Sequence, residues 1–70
     1  MHCRLEYAHF DVNNNHLILY SDFEAGDDKK AFTTACTLIA RLNNEIEFNP
    51  KNHERYEFIE LIELENGKRE

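Results

Sequence analysis

A single stretch of this chain, Lys29 to Leu42, repeats its apolar residues with helical periodicity. Phe32, Ala35, Cys36, Ile39 and Leu42 follow the i, i+3, i+4, i+7 spacing, and Ala31 and Leu38 widen the stripe. Lys30, Thr33, Thr34, Thr37 and Arg41 fall on the other side. Asp27 or Asp28 is placed to cap the first turn, Arg41 suits the negative end of the helix dipole, and Asn43-Asn44 reads as the stop. A helix that is apolar on one face must bury that face, and in 70 residues the available partner is a sheet made from the rest of the chain. On this reading Cys36 lies on the buried stripe as an inert thiol.

The flanking segments read as strands. Residues 3 to 12 alternate loosely and carry Tyr7, Phe10 and Val12, residue types that suit a half-buried strand. Asn13-Asn14-Asn15 interrupts them, and asparagine tolerates the left-handed backbone a tight turn needs, so His16 to Tyr20 is expected to return as an antiparallel neighbour. Ser21 to Asp28 reads as an acidic connector to the helix. Beyond the helix, Glu45-Ile46-Glu47-Phe48 alternates strictly before Asn49-Pro50 and predicts a short strand entering a turn.

Residues 56 to 65 carry conflicting signals. Asn49-Pro50 and Asn66-Gly67 resemble helix caps, yet the apolar residues between them scatter around a helical wheel, while Tyr56, Phe58, Ile59 and Ile62 favour a strand. The strand reading is preferred. It pairs Tyr56-Glu57-Phe58 with Ile46-Glu47-Phe48 as a hairpin and needs a β-bulge near Phe58 and Ile59, where strict alternation breaks. The expected fold is α+β: a two-layer ββαββ domain, with a four-stranded antiparallel sheet and one amphipathic helix on one face. It occupies residues 1–70 as one domain, with residues 66–70 as a loose tail.

Composition excludes several functions. At 41% hydrophobic residues the chain has enough apolar material to fold, and no apolar run approaches the roughly 18 residues that span a bilayer. Met1 to Glu6 has no apolar core of the kind a secretory signal needs, which points to a cytoplasmic protein. Cys3 and Cys36 then read as free thiols, with His2 and Cys3 at a mobile terminus. A net charge of −6 disfavours direct binding to nucleic acid or anionic lipid.

Catalytic signatures are missing from the sequence. Ser21 has no nucleophile elbow, two glycines are too few for a phosphate loop, and the cysteines have no base at the spacing that covalent catalysis uses. No enzyme and no cofactor are expected. Metal-ligand spacings are also lacking, and the nearest approach to one is His9 and His16 across the first hairpin with Asp11 beside them.

Charge is segregated along the chain. Residues 1 to 28 carry −5, residues 29 to 44 carry +3 and residues 45 to 70 carry −4. With the helix on one face, the acids Glu6, Asp22, Glu24, Asp27, Asp28, Glu45, Glu47, Glu57, Glu60 and Glu63 are expected on the opposite face and rims, flanked by Tyr7, Tyr20 and Tyr56. Such a surface steers toward basic partners. In size and acidity, though not in any motif, the chain is similar to the small inhibitors of phages and mobile elements, the anti-CRISPR and anti-restriction proteins. That similarity implies a protein that blocks a basic nucleic-acid-binding surface of its target. The alternative is an antitoxin, immunity or adaptor protein that acts through an apolar dimer or edge-strand interface, and small cores make a homodimer an economical solution. A small metal-binding module using His9, His16 and Asp11 is a further alternative.

Overall fold

The computed structural model describes residues 1–46 and 52–64. The elements are β1 (His2–Phe10), β2 (His16–Glu24), α1 (Asp28–Asn44) and β3 (Arg55–Leu64). Among the described residues the sheet has three antiparallel strands in the order β2-β1-β3, with α1 on one face. The architecture is α+β as expected, and the order among the described residues is ββαβ, without the expected fourth strand.

The first hairpin forms where the asparagines place it. Asn14 takes the left-handed conformation at φ 68°, and the Asp11 carboxylate accepts the N–H groups of Asn13 and Asn15 at 2.8 and 3.0 Å. β2 then runs four residues past Tyr20, so Ser21 to Glu24 belongs to the sheet and not to the connector. Each of these residues has a partner on β1, from Leu5 opposite Ser21 to His2 opposite Glu24. The helix is capped by Asp27, whose side chain accepts the Lys30 N–H at 2.8 Å.

The largest departure lies after the helix. α1 continues through Asn43 and Asn44 and ends at a C-cap on Glu45, whose N–H bonds back to the helix carbonyls. Ile46 repeats this toward Asn43, so neither residue starts a strand. Glu47 and Phe48, the Asn49-Pro50 turn and the tail from Glu65 onward lie outside the described residues. β3 pairs with β1, and Glu45 and Ile46 form no strand beside it. The bulge falls where alternation broke: Glu6 faces Glu60 and Tyr7 faces Phe58, which leaves Ile59 as the extra residue.

The core is small. Among the described residues Cys3, Leu5, Ala8, Ala31 and Ala35 are buried, and Leu5 is the largest of them. The helix meets the sheet along Ala31 and Ala35, with Leu38 and Leu42 half-buried on the same side. Alanine methyls let the helix backbone come close to the strands, and the helix settles on this row instead of on the bulkier Phe32 and Cys36. Phe32 is therefore 56% exposed and Cys36 is exposed, while Thr34, which the periodicity put on the outer side, is half-buried. α1 lies toward β3, not β2.

Leu5 is wholly buried on the central strand, so Leu5→Ala should cost about 2–5 kcal/mol. For a chain this short that is most of its stability. Urea unfolding followed by circular dichroism should find the variant largely unfolded, or with its midpoint sharply lowered, at 25 °C.

Candidate functional site

Strand alternation sorts the site residues into two faces. On the face away from α1 lie His2, Arg4, Glu6, Ala8 and Phe10 of β1, His16, Ile18, Tyr20, Asp22 and Glu24 of β2, and Arg55, Glu57, Glu60 and Ile62 of β3. Five of the acids expected there do gather on this face: Glu6, Asp22, Glu24, Glu57 and Glu60. They are interleaved with bases. Arg4 grips Asp22 with two bonds, at 2.8 and 3.0 Å, His2 bonds Glu24, and Arg55 donates to Glu57 at 2.6 Å. The surface is a charge ladder with apolar steps, not a continuous acidic field.

Glu6 and Glu60 are the exception, since they face each other directly across β1 and β3. Like charges in this arrangement are unfavourable. The other expected members lie elsewhere. Asp27 and Asp28 sit at the start of α1, Glu45 is its C-cap, and Glu63 is on the helix side, where it shares the rim of a groove with Asp28. Glu47 lies outside the described residues.

The three tyrosines do not form one rim. Tyr20 is exposed on the free face, with the Arg4 guanidinium 5.7 Å from its ring centre. Tyr7 and Tyr56 are half-buried on the helix side, with ring centres 6.1 Å apart. Tyr56 is further held by Asn43, whose side-chain amide accepts the Tyr56 N–H at 2.7 Å and donates to the Tyr56 carbonyl at 3.0 Å. The sequence presented Asn43 only as a helix stop. Its position, four residues after Ile39 and so in line with the stripe, was the available signal that it could reach the sheet.

The histidines and Asp11 are engaged separately. His9 stacks on Tyr56 at 4.5 Å and its Nε2 lies 3.2 Å from Glu54, while His16 is on the opposite face against Phe10. Asp11 organises the hairpin. Among the described residues no group of three His, Cys, Asp or Glu side chains is assembled to hold a metal.

Cys3 lies in the expected first strand and is 1% exposed, so burial pushes its pKa up, whereas Cys36 faces solvent and is not on the buried side of the helix.

Sequence reasoning offered an apolar interface as an alternative but did not name the residues that form the described apolar surface. α1 stops short of β2, leaving Leu17 68% exposed on the helix side, with Ile18 and Tyr20 exposed on the other. Phe32, Phe58 and Ile59 are exposed at the β3 side, and Phe32 and Phe58 meet edge to face at 6.1 Å. A groove of about 410 Å³ runs beside them, floored by Cys3, Ala31 and Leu61. No helix among the described residues is long and apolar enough to cross a membrane. No family model, curated protein or solved structure matches the chain.

Two outcomes follow from these placements. Iodoacetamide should alkylate Cys36 on the native protein and Cys3 only under denaturant, giving one and then two adducts by intact mass. The Asp11 carboxylate is held below its ordinary pKa chiefly by the Asn15 N–H and then by Asn13, and Asp22 is held below its own by the bonds from Arg4. Because the folded values are depressed, this stabilisation is present above the ordinary aspartate range and is lost as pH falls through the lowered values. The Asp11→Asn, Asp22→Asn double variant should show a smaller loss of urea midpoint than wild type on acidification through that window.

Proposed function

We propose that this chain is a protein-interaction module that works through the apolar residues exposed along the outer edges of its sheet, in the manner of an antitoxin, immunity or adaptor protein. One observation carries this reading. The five buried residues among those described include only one large side chain, while seven large hydrophobic residues, Val12, Leu17, Ile18, Tyr20, Phe32, Phe58 and Ile59, are exposed. Phe32, Phe58 and Ile59 at one edge of the sheet and Leu17, Ile18 and Tyr20 at the other are apolar surface of the kind that partners cover, and small domains gain most from a partner.

The second reading, an inhibitor that inserts an acidic face into a basic groove, is supported by the opposed Glu6 and Glu60. It is weakened by the bonding of Asp22, Glu24 and Glu57 to bases of the same face.

The two are separated by photo-crosslinking in the cells that make the protein, with a benzophenone residue placed at Leu17, Phe32 or Ile59, or at Glu6 or Glu60. The apolar positions should crosslink to protein and the acidic ones should not. Crosslinks confined to Glu6 and Glu60 would establish the inhibitor reading instead, and none at any position would sink both.

A further inference from the structure

The two outer strands of the sheet are finished differently. β3 carries the bulge at Ile59 and the Asn43 amide on Tyr56, so its outer edge is bent and partly capped. Among the described residues β2 has none of these devices. It is nine residues long, keeps an unbroken register with β1 and contains neither proline nor lysine. Met1 and Ala25 exchange both main-chain bonds at one end of this ladder, and Asp11 bonds Asn15 at the other. In an antiparallel ladder such pairs alternate, so Leu17, Leu19, Ser21 and Phe23 bond β1. The main-chain groups of His16, Ile18, Tyr20, Asp22 and Glu24 point outward, and no strand among the described residues pairs with them.

We infer that the partner of this edge is a second copy of the chain, with β2 pairing antiparallel to β2 about a two-fold axis at Tyr20 to make a continuous six-stranded sheet. This inference rests on the interaction-module reading and names its partner. The strand is self-complementary in that register. Tyr20 meets Tyr20, Ile18 meets Asp22 and His16 meets Glu24, and these are the outward-pointing residues, so every free N–H and C=O of the strand finds a mate. On the helix side, Leu17 falls opposite the partner's Phe23 in a closely spaced pair, which covers the most exposed leucine in the chain. A slip of two residues either way leaves part of the nine-residue strand unpaired. No acid faces an acid across the seam, and the two acids of the edge are already bonded to Arg4 and His2 of their own chain. Each copy still carries −6, so the pair should tighten with salt, opposite to the binding of an acidic inhibitor in a basic groove.

Light scattering and sedimentation equilibrium on the purified protein, from about 1 to about 100 µM, should find a dimer whose dissociation constant falls severalfold between about 0.05 and about 0.5 M salt. Tyr20→Pro removes an outward N–H while sparing the ladder to β1, and should give a monomer with an unchanged circular dichroism spectrum. If that variant unfolds, crosslinking decides. In a Cys36→Ser background, Tyr20→Cys places two thiols on the axis, at a Cα separation of about 5.5 Å that suits a disulfide, and mild oxidation should link the chains. Leu19→Cys and Ser21→Cys should not link. A monomer throughout the concentration range, or linkage through Leu19→Cys or Ser21→Cys in place of Tyr20→Cys, would overturn the inference. In-cell crosslinks from Leu17 to a different protein would then leave the interaction-module reading standing without the second copy.

Discussion

The structure depends on the pairing of β1 on both sides. It is the central strand, and its Cys3, Leu5 and Ala8 are three of the five buried residues. Leu5 is covered because β2 and β3 flank it and because Ala31 and Ala35 allow the helix to settle close above. A larger residue at either alanine would hold the helix away and open the one dense part of the core.

The way the helix is anchored explains what is left uncovered. Its start is fixed by Asp27 and its end by the two hydrogen bonds between Asn43 and the Tyr56 backbone, which tie α1 to the β3 side. A single helix placed there cannot also roof β2. The thin core and the open apolar strand are therefore one fact seen from two sides. Burying Leu17 requires either a second helix or another molecule, and no second helix is found among the described residues. Electrostatics play a smaller part, since the free face pairs most of its acids with bases and leaves Glu6 and Glu60 as a local like-charge contact.

Much of this was legible in the residues. The asparagine run gave the hairpin because few other residues accept the left-handed backbone at Asn14. The helix followed from periodicity and a capping aspartate. The loss of alternation at Phe58 and Ile59 marked the bulge, because a period of two cannot pass one extra residue without switching faces. Other expectations failed where local pattern underdetermines partners. Glu45 and Ile46 alternate like a strand but cap the helix, and Ser21 to Glu24 look like an acidic connector but find mates on β1.

By itself the sequence determined the helix, the first hairpin and the excess of negative charge, and it favoured an extended form for residues 56–65, all properties carried by neighbours along the chain. Tertiary structure decided which strand pairs with which, the rotation of the helix that buries Ala31 and Ala35 and exposes Phe32 and Cys36, the pairing of Asp22 and Glu57 on the free face with Arg4 and Arg55, and, among the described residues, the open edge of β2. These depend on how closely two surfaces can approach and on which groups are left without a mate. A hydrophobic period records that a residue has an apolar side, but not how far the covering element reaches.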